Sequence, residues 1–545
     1  MAKRRNFYRL DEPLKHPDHH RPKTRRDFIA QGFMAGMGTV VGSPMLSMFS
    51  SKAFGQADYD LSSDIDALRL ACGITDGAGK IPFICFDLAG GANIAGSNVL
   101  VGGQGGQMDF LSTAGYSKQG LPGDMIPGLA EATPAAGSNG DHTDTQLGLA
   151  FHTDSQFLRG ILERTSPGTQ QAINGAVIAA RSENDTANNP HNPMYAINMA
   201  GANGRLVALA GSRSSDSGGN SMAPADLINN EVRPTKVDRP SDVTGMVDVG
   251  DFGALSDEQV VRVMEAVSRV SKAKLDRVST GMTLDADVKD LVQCAYVKSA
   301  YLAQRFPNPA SLNPAADPDI VGASGIFSTE EFNDDREFQK AASVMKLVIE
   351  GLSGAGTIAM GGYDYHTGDR STGEERDLRA GRCMGACLEY AARKGKPLML
   401  YVFSDGSVFS NGMTDDSEEG RGKGVWTGDN QQTASAFFLV YNPGGRPVLM
   451  GATADEQARH QQIGYMRGSG DVETNSSTDR PNPAANNVNL LVQTVMLNYM
   501  ALHGSNAQSQ FELAFTEKGL LHGLGGSGVM DRLTAFQPIV DGSIV

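Results

Sequence analysis

Past its first 55 residues the chain has no run of the ~18 or more consecutive apolar residues that a membrane-spanning helix needs, so no span is expected there. Tryptophan occurs once, at Trp426, and cysteine only five times in 545 residues. Cysteines so few and odd in number argue against a disulfide framework and leave at least one thiol unpaired. Cys383 and Cys387 stand four apart in a helical pattern and share one face, where core packing is the expectation. Basic residues are also short: 47 Lys and Arg face 62 Asp and Glu, for a net charge of −15. An acidic surface repels phosphate backbones, which argues against nucleic acid as a partner. No internal repeat is visible.

What basic charge there is gathers at the start. Residues 1–26 are basic and polar and end in Thr24-Arg25-Arg26-Asp27-Phe28-Ile29, followed by a weakly apolar, glycine-containing stretch to Phe49. Ala53-Phe54-Gly55 then offers small residues at the spacing a signal peptidase reads, with Gln56 as the mature start. Paired arginines before a modest apolar segment mark a twin-arginine export signal, so the expected location is periplasmic or secreted. Without residues 1–55 the basic and acidic counts become 37 and 58, a net charge of −21.

The remainder, 56–545, reads as a single α/β domain. Continuous apolar runs at 81–88, 176–179, 206–210, 356–360, 397–403 and 435–441 suit strands buried on both faces. Helical periodicity is seen at 60–72, 147–164, 285–305, 338–352, 374–394 and 486–503, and Ser256-Asp257-Glu258-Gln259 is a capping box opening another helix. Residues 212–330, first loop-rich and then helical, read as an insertion. Alternating strands and helices with glycines at the strand exits predict a doubly wound, mostly parallel sheet flanked by helices. The glycine-rich run after residue 88 is no dinucleotide fingerprint, because residues 97–101 continue extended instead of opening a helix.

In such a sheet, ligands bind beyond the carboxyl ends of the strands. Asp364 and His366 lie there, in Gly-Gly-Tyr-Asp-Tyr-His (361–366), and so do Asp87, Asp405 and Asp429. Carboxylates gathered in one place repel one another unless a cation is bound, so this set predicts a divalent metal: calcium, magnesium, manganese or zinc. His191, in the polar loop Asn-Asn-Pro-His-Asn-Pro, is the second imidazole expected at the site. His142 and His152 are weaker candidates. For a nucleophile the chain offers Ser97, in the glycine loop, and Thr145, before the next helix.

Three of these segments carry a resemblance. GGYDYH is similar to a Gly-Gly-Phe-Asp-Thr-His motif, SDGS at 404–407 to a Ser-Glu-Phe-Gly motif at a strand end, and GGANIAGSN at 90–98 to Gly-Gly-x-Asp-Gly-Leu-Asn. Together they resemble a family of twin-arginine-exported bacterial proteins with a sulfatase-like fold of the alkaline phosphatase superfamily, over roughly residues 80–110 and 335–445. The resemblance implies one or two divalent metals held by Asp and His at the strand ends, and a hydroxyl or modified Cys that attacks a phosphate or sulfate ester. The chain departs from it at Asn93, where the family has Asp, and at Gly406 and Asn430, where His is usual. Losing those imidazoles leaves a mainly oxygen donor set. No Cys/Ser-x-Pro-x-Arg pentapeptide is present, which argues against a formylglycine sulfatase. Two readings follow: an exported metal-dependent hydrolase of small-molecule or polymer esters, or a catalytically degenerate exported binding or surface-assembly protein.

Overall fold

A computed structural model describes residues 60–72, 74, 80–182, 189–247, 255–279, 281, 283–306 and 309–541. The export signal expected in residues 1–55 lies outside them. The apolar run near residue 81 forms β1 (Phe83–Leu88), with all six residues buried. It lies inside an eight-stranded sheet with β2 (Ile173–Ile178), β3 (Val207–Gly211), β4 (Thr235–Lys236), β5 (Ser353–Met360), β6 (Leu398–Phe403), β7 (Ala436–Tyr441) and β8 (Gln462–Ile463). The order across the sheet is β8-β2-β7-β6-β1-β5-β3-β4. β1 runs parallel to β5 and β6, and the β5–β3, β3–β4 and β2–β8 pairs are parallel too. β7 alone opposes its neighbours β6 and β2. All eight strands therefore belong to one mostly parallel sheet, as the strand–helix alternation predicts.

Side chains alternate across a strand, and here each face meets helices. Ile84, Phe86 and Leu88 of β1 and Leu400 and Val402 of β6 join one core with α2 (Gln156–Arg164), α5 (Arg336–Ile349) and α6 (Ser371–Arg393). Phe83 and Cys85 of β1 and Met399, Tyr401 and Phe403 of β6 join the other with α7 (Val488–Ala501). The architecture is the doubly wound α/β sheet that was expected, consistent with an alkaline-phosphatase-like fold. Helices α2 and α6 meet through glycines. A Cβ on Gly381 would stand 2.4 Å from the Phe157 carbonyl, and one on Gly160 2.5 Å from the Arg382 amide. Cys383 and Cys387 are buried free thiols on α6, in the core as expected.

Two local expectations differ from the structure. The helix expected over 147–164 begins only at Gln156: Gly148 has φ +82°, Phe151–His152 pairs antiparallel with Thr143–Asp144, and the Ser155 side chain accepts from the Leu158 amide as the N-cap. The 212–330 stretch is also not a single insertion. Residues up to 247 belong with the sheet, supply β4 and send the 219–221 loop to Asp87.

The helical part forms a second unit with the segment before β1, made up among the described residues of 60–74 and 255–306. Its described helices are α1 (Ser63–Ala71), α3 (Asp257–Leu275) and α4 (Asp285–Arg305). Ser256 and Gln259 form the expected capping box of α3. Ile65, Val261, Met264, Val297, Ala300 and Ala303 make up a small core, which explains why a covalent tie is useful here. Cys72 and Cys294 supply it as a disulfide, Cα to Cα 5.5 Å, leaving three thiols free. The bond closes a 222-residue separation, for which loop-closure entropy gives about 5 kcal/mol at most. Cys294→Ser is therefore expected to speed proteolytic cleavage around α1 and α4 well over tenfold at unchanged sheet stability. Cleavage rates equal to those of the parent would refute this role.

Candidate metal centre

The site is built where β1, β5 and β6 end. Past β1 the chain turns at Gly90 and Gly91, with φ +125° and +120°. A side chain at Gly90 would place its Cβ 2.6 Å from the Asp364 amide, so only glycine lets this loop lie against the turn that follows β5. The loop is also tied to the end of β6. Gly90 N–H donates to Asp405 Oδ1 at 2.8 Å, and the Gly91 and Ala92 amides donate to Ser404 Oγ at 3.2 and 2.9 Å. Beyond Asp405 the short strand Ser407–Phe409 pairs with Gly428–Asn430, which sets Asp429 opposite Val408.

These ties bring Asp364, His366 and Asp429 together. His366 Nδ1 lies 2.6 Å from Asp364 Oδ1 and 2.8 Å from Asp429 Oδ1. One ligand atom from each of the three residues lies within 4.8 Å of the others. The side chains of His366, Asp364 and Asp429 are 35%, 63% and 23% exposed, so the cluster is open to solvent. Two carboxylate oxygens and one imidazole nitrogen at this spacing fit a divalent cation that takes mixed O/N donors, with room left for further ligands.

The other expected ligands sit apart from this triad. Asp405 is fully buried, and its main-chain carbonyl accepts from Asn189 Nδ2 at 2.7 Å. Asp87 is fully buried in β1 and is held by the 219–221 loop: Oδ2 accepts from the Asn220 and Ser221 amides at 2.7 and 2.8 Å, and Oδ1 from Ser221 Oγ at 2.9 Å. Burial, with the Asp405 charge added to it, pushes the Asp87 carboxyl up to about 6 against those bonds. His191 stacks on Phe403, ring centroids 5.9 Å apart. Neither of its ring nitrogens meets a partner among the described residues, and burial pushes the imidazole down to about 3.

Neither hydroxyl candidate joins the triad. Ser97 is buried and its Oγ accepts from Arg370 Nη2 at 2.6 Å and from Asn93 Nδ2. Thr145 donates to Asn139 Oδ1 at 3.3 Å, in the turn between the short strands Thr143–Asp144 and Phe151–His152. His152 gives its Nε2 to the Met125 carbonyl at 2.7 Å, stacks on His142 and is pushed down to about 4, first by burial.

Sequence reasoning did not find the residues that hold the site in place. Ser221 is one of several serines in a polar run and carries no signal of a contact 134 residues away. Tyr365, Asp377 and Arg370 are buried beneath the turn. Of their contacts only Arg370 to Glu374, an i,i+4 ion pair at 2.7 Å, was open to a sequence argument. Comparison with protein-family models and with curated proteins finds no match.

Proposed function

We propose that the chain is an exported, metal-dependent hydrolase-like protein acting on phosphate or related esters. The observation that carries this reading is the convergence of Asp364, His366 and Asp429, which arrive from the turn after β5 and from the short Gly428–Asn430 strand with their donor atoms at ligand spacing. A divalent cation held there would supply Lewis acidity toward an ester oxygen. The residues themselves provide two negative charges for such a cation and an imidazole oriented by both. Ser97 is engaged as an acceptor of two donors, so a water at the open rim is the attacking group that needs no rearrangement of the chain.

The second reading, an exported binding or surface-assembly protein that keeps the fold without turnover, is favoured by Gly406 and Asn430, which replace imidazoles with groups that supply no nitrogen ligand. It is also favoured by the three hydrogen bonds that already occupy Asp87. Metal analysis of protein purified without chelator, with assays on aryl phosphate, phosphodiester and aryl sulfate, separates the two. The hydrolase reading expects near-stoichiometric metal, and a loss of turnover of at least a hundredfold in both His366→Ala and Asp364→Ala. Metal without turnover supports the binding reading, and a protein with neither contradicts the metal centre itself.

A further inference from the structure

Between the two proposed ligands of the turn stands Tyr365, fully covered although both its neighbours are open to solvent. Its hydroxyl accepts from the Asn93 amide at 2.7 Å and donates to Asp377 Oδ1 at 3.1 Å. The other oxygen of Asp377 accepts from Asn98 Nδ2 at 2.8 Å, and the same nitrogen lies 2.8 Å from the Asn93 carbonyl. The ring has no slack either. A Cβ added to Gly373 would lie 3.1 Å from Tyr365 Cε2 and 3.2 Å from the Trp426 indole nitrogen. Asp364 is pinned from the other side by Gly90. The backbone carrying Asp364 and His366 is thus gripped at the residue between them, and the grip ends on a carboxyl.

We infer that Tyr365 is a positioning residue: its hydroxyl, wedged between the Asn93 amide and the Asp377 carboxyl, sets the spacing of Asp364 and His366, so that a proton gained or lost at Asp377 is felt at the cation site. The inference rests on the metal-centre reading above. Asp377 is buried on α6, where burial first and the Glu374 charge second push it up to about 8. The groups facing it are Glu374 and Arg370 at the start of α6, Tyr363 and Tyr365 of the turn, and Asn98 of the loop past β1. Ionised, Asp377 accepts a charge-assisted bond from Tyr365 and holds the turn most firmly. Protonated, it loses that advantage and the turn loosens. Cation binding, which needs the firm turn, must then favour proton release from Asp377 by linkage.

Titration of the full-length protein with Mn2+ between pH 6.5 and 9 tests this, using the parent, Tyr365→Phe and Asp377→Asn, with Trp426 fluorescence and circular dichroism as folding controls. Tyr365→Phe is expected to weaken Mn2+ binding about tenfold with the fold intact. In the parent, affinity should rise in a step near pH 8 with extra proton release, and Asp377→Asn should lack both. Superimposable curves for all three proteins overturn the inference while leaving the metal centre standing. If the parent binds no Mn2+, the hydrolase reading fails instead, and the His366 ring-proton resonances decide. An inflection near pH 8 that Asp377→Asn abolishes supports the coupling, and a parent without it refutes the coupling.

Discussion

Glu374→Ala is expected to lower the stability of the sheet-containing unit by about 3–5 kcal/mol, the cost of breaking a buried ion pair by removing one partner. For a unit of about 400 residues that corresponds to roughly 5 °C in the unfolding midpoint. Glu374 is 6% exposed and answers two cations that are almost wholly buried: Lys423, 0% exposed and 2.8 Å away, and Arg370, 1% exposed and 2.7 Å away. Arg421 and Asp154 complete the cluster, so three cations share two carboxylates. Burial works to raise the Glu374 carboxyl, but Lys423 and Arg370 bring it below the ordinary range, so it is charged at neutral pH. Removing it leaves three cations with only Asp154. The double change Glu374→Leu with Lys423→Met restores the balance and should recover at least half of the loss, because two buried charges leave together. Trp426 reports on this region, since the Arg370 guanidinium lies 4.2 Å from its ring centroid and the chain has no other tryptophan. A single change within ~1 kcal/mol of the parent, or a double change worse than the single, would sink the argument.

The same cluster shows what could be read from the sequence and what could not. β1, β5, β6 and β7 announced themselves as short apolar runs closed by glycine or polar residues, because a strand buried on both faces has no polar face to interrupt it. Asp364 and His366 were legible for a related reason, since they follow β5 at its carboxyl end, whereas Asp429 lies within the short Gly428–Asn430 strand outside the main sheet. Asp87 and Asp405 were placed correctly at strand ends, yet their contacts were not foreseeable. Which N–H groups meet a buried carboxylate depends on loops such as 219–221, whose composition says only that they turn. The helix expected over 147–164 failed in its first half because apolar spacing cannot register a positive-φ glycine at 148. The Cys72–Cys294 bond was missed because composition counts cysteines across a whole chain, whereas the bond serves a small unit with a core of its own.

Stability should peak near pH 7 and fall on the acid side by on the order of 2–3 kcal/mol by pH 5, through buried imidazoles opposed by buried carboxyls. His152 and His503 are pushed down to about 4 and His191 to about 3, in each case first by burial. A depressed imidazole stays neutral in the folded chain while the unfolded chain takes up its proton below about 6.5, so stability is lost as pH falls from there toward the folded values. Asp87, raised to about 6, and Asp377, raised to about 8, act with the opposite sign. Each is easier to bury protonated, so each restores some stability as pH falls toward ~4, and Asp377 alone costs stability as pH rises toward 8. Three imidazoles against two carboxyls leave a net loss on the acid side. His191 is the cleanest test, because its ring meets no hydrogen-bond partner among the described residues and stacks on Phe403. His191→Phe keeps an aromatic ring in that place and removes a titrating group. It should raise stability at pH 5 by about 2 kcal/mol while changing it little at pH 8. Denaturant unfolding of parent and variant at the two pH values measures this directly, and an equal shift at both would show that packing rather than proton uptake governs the site.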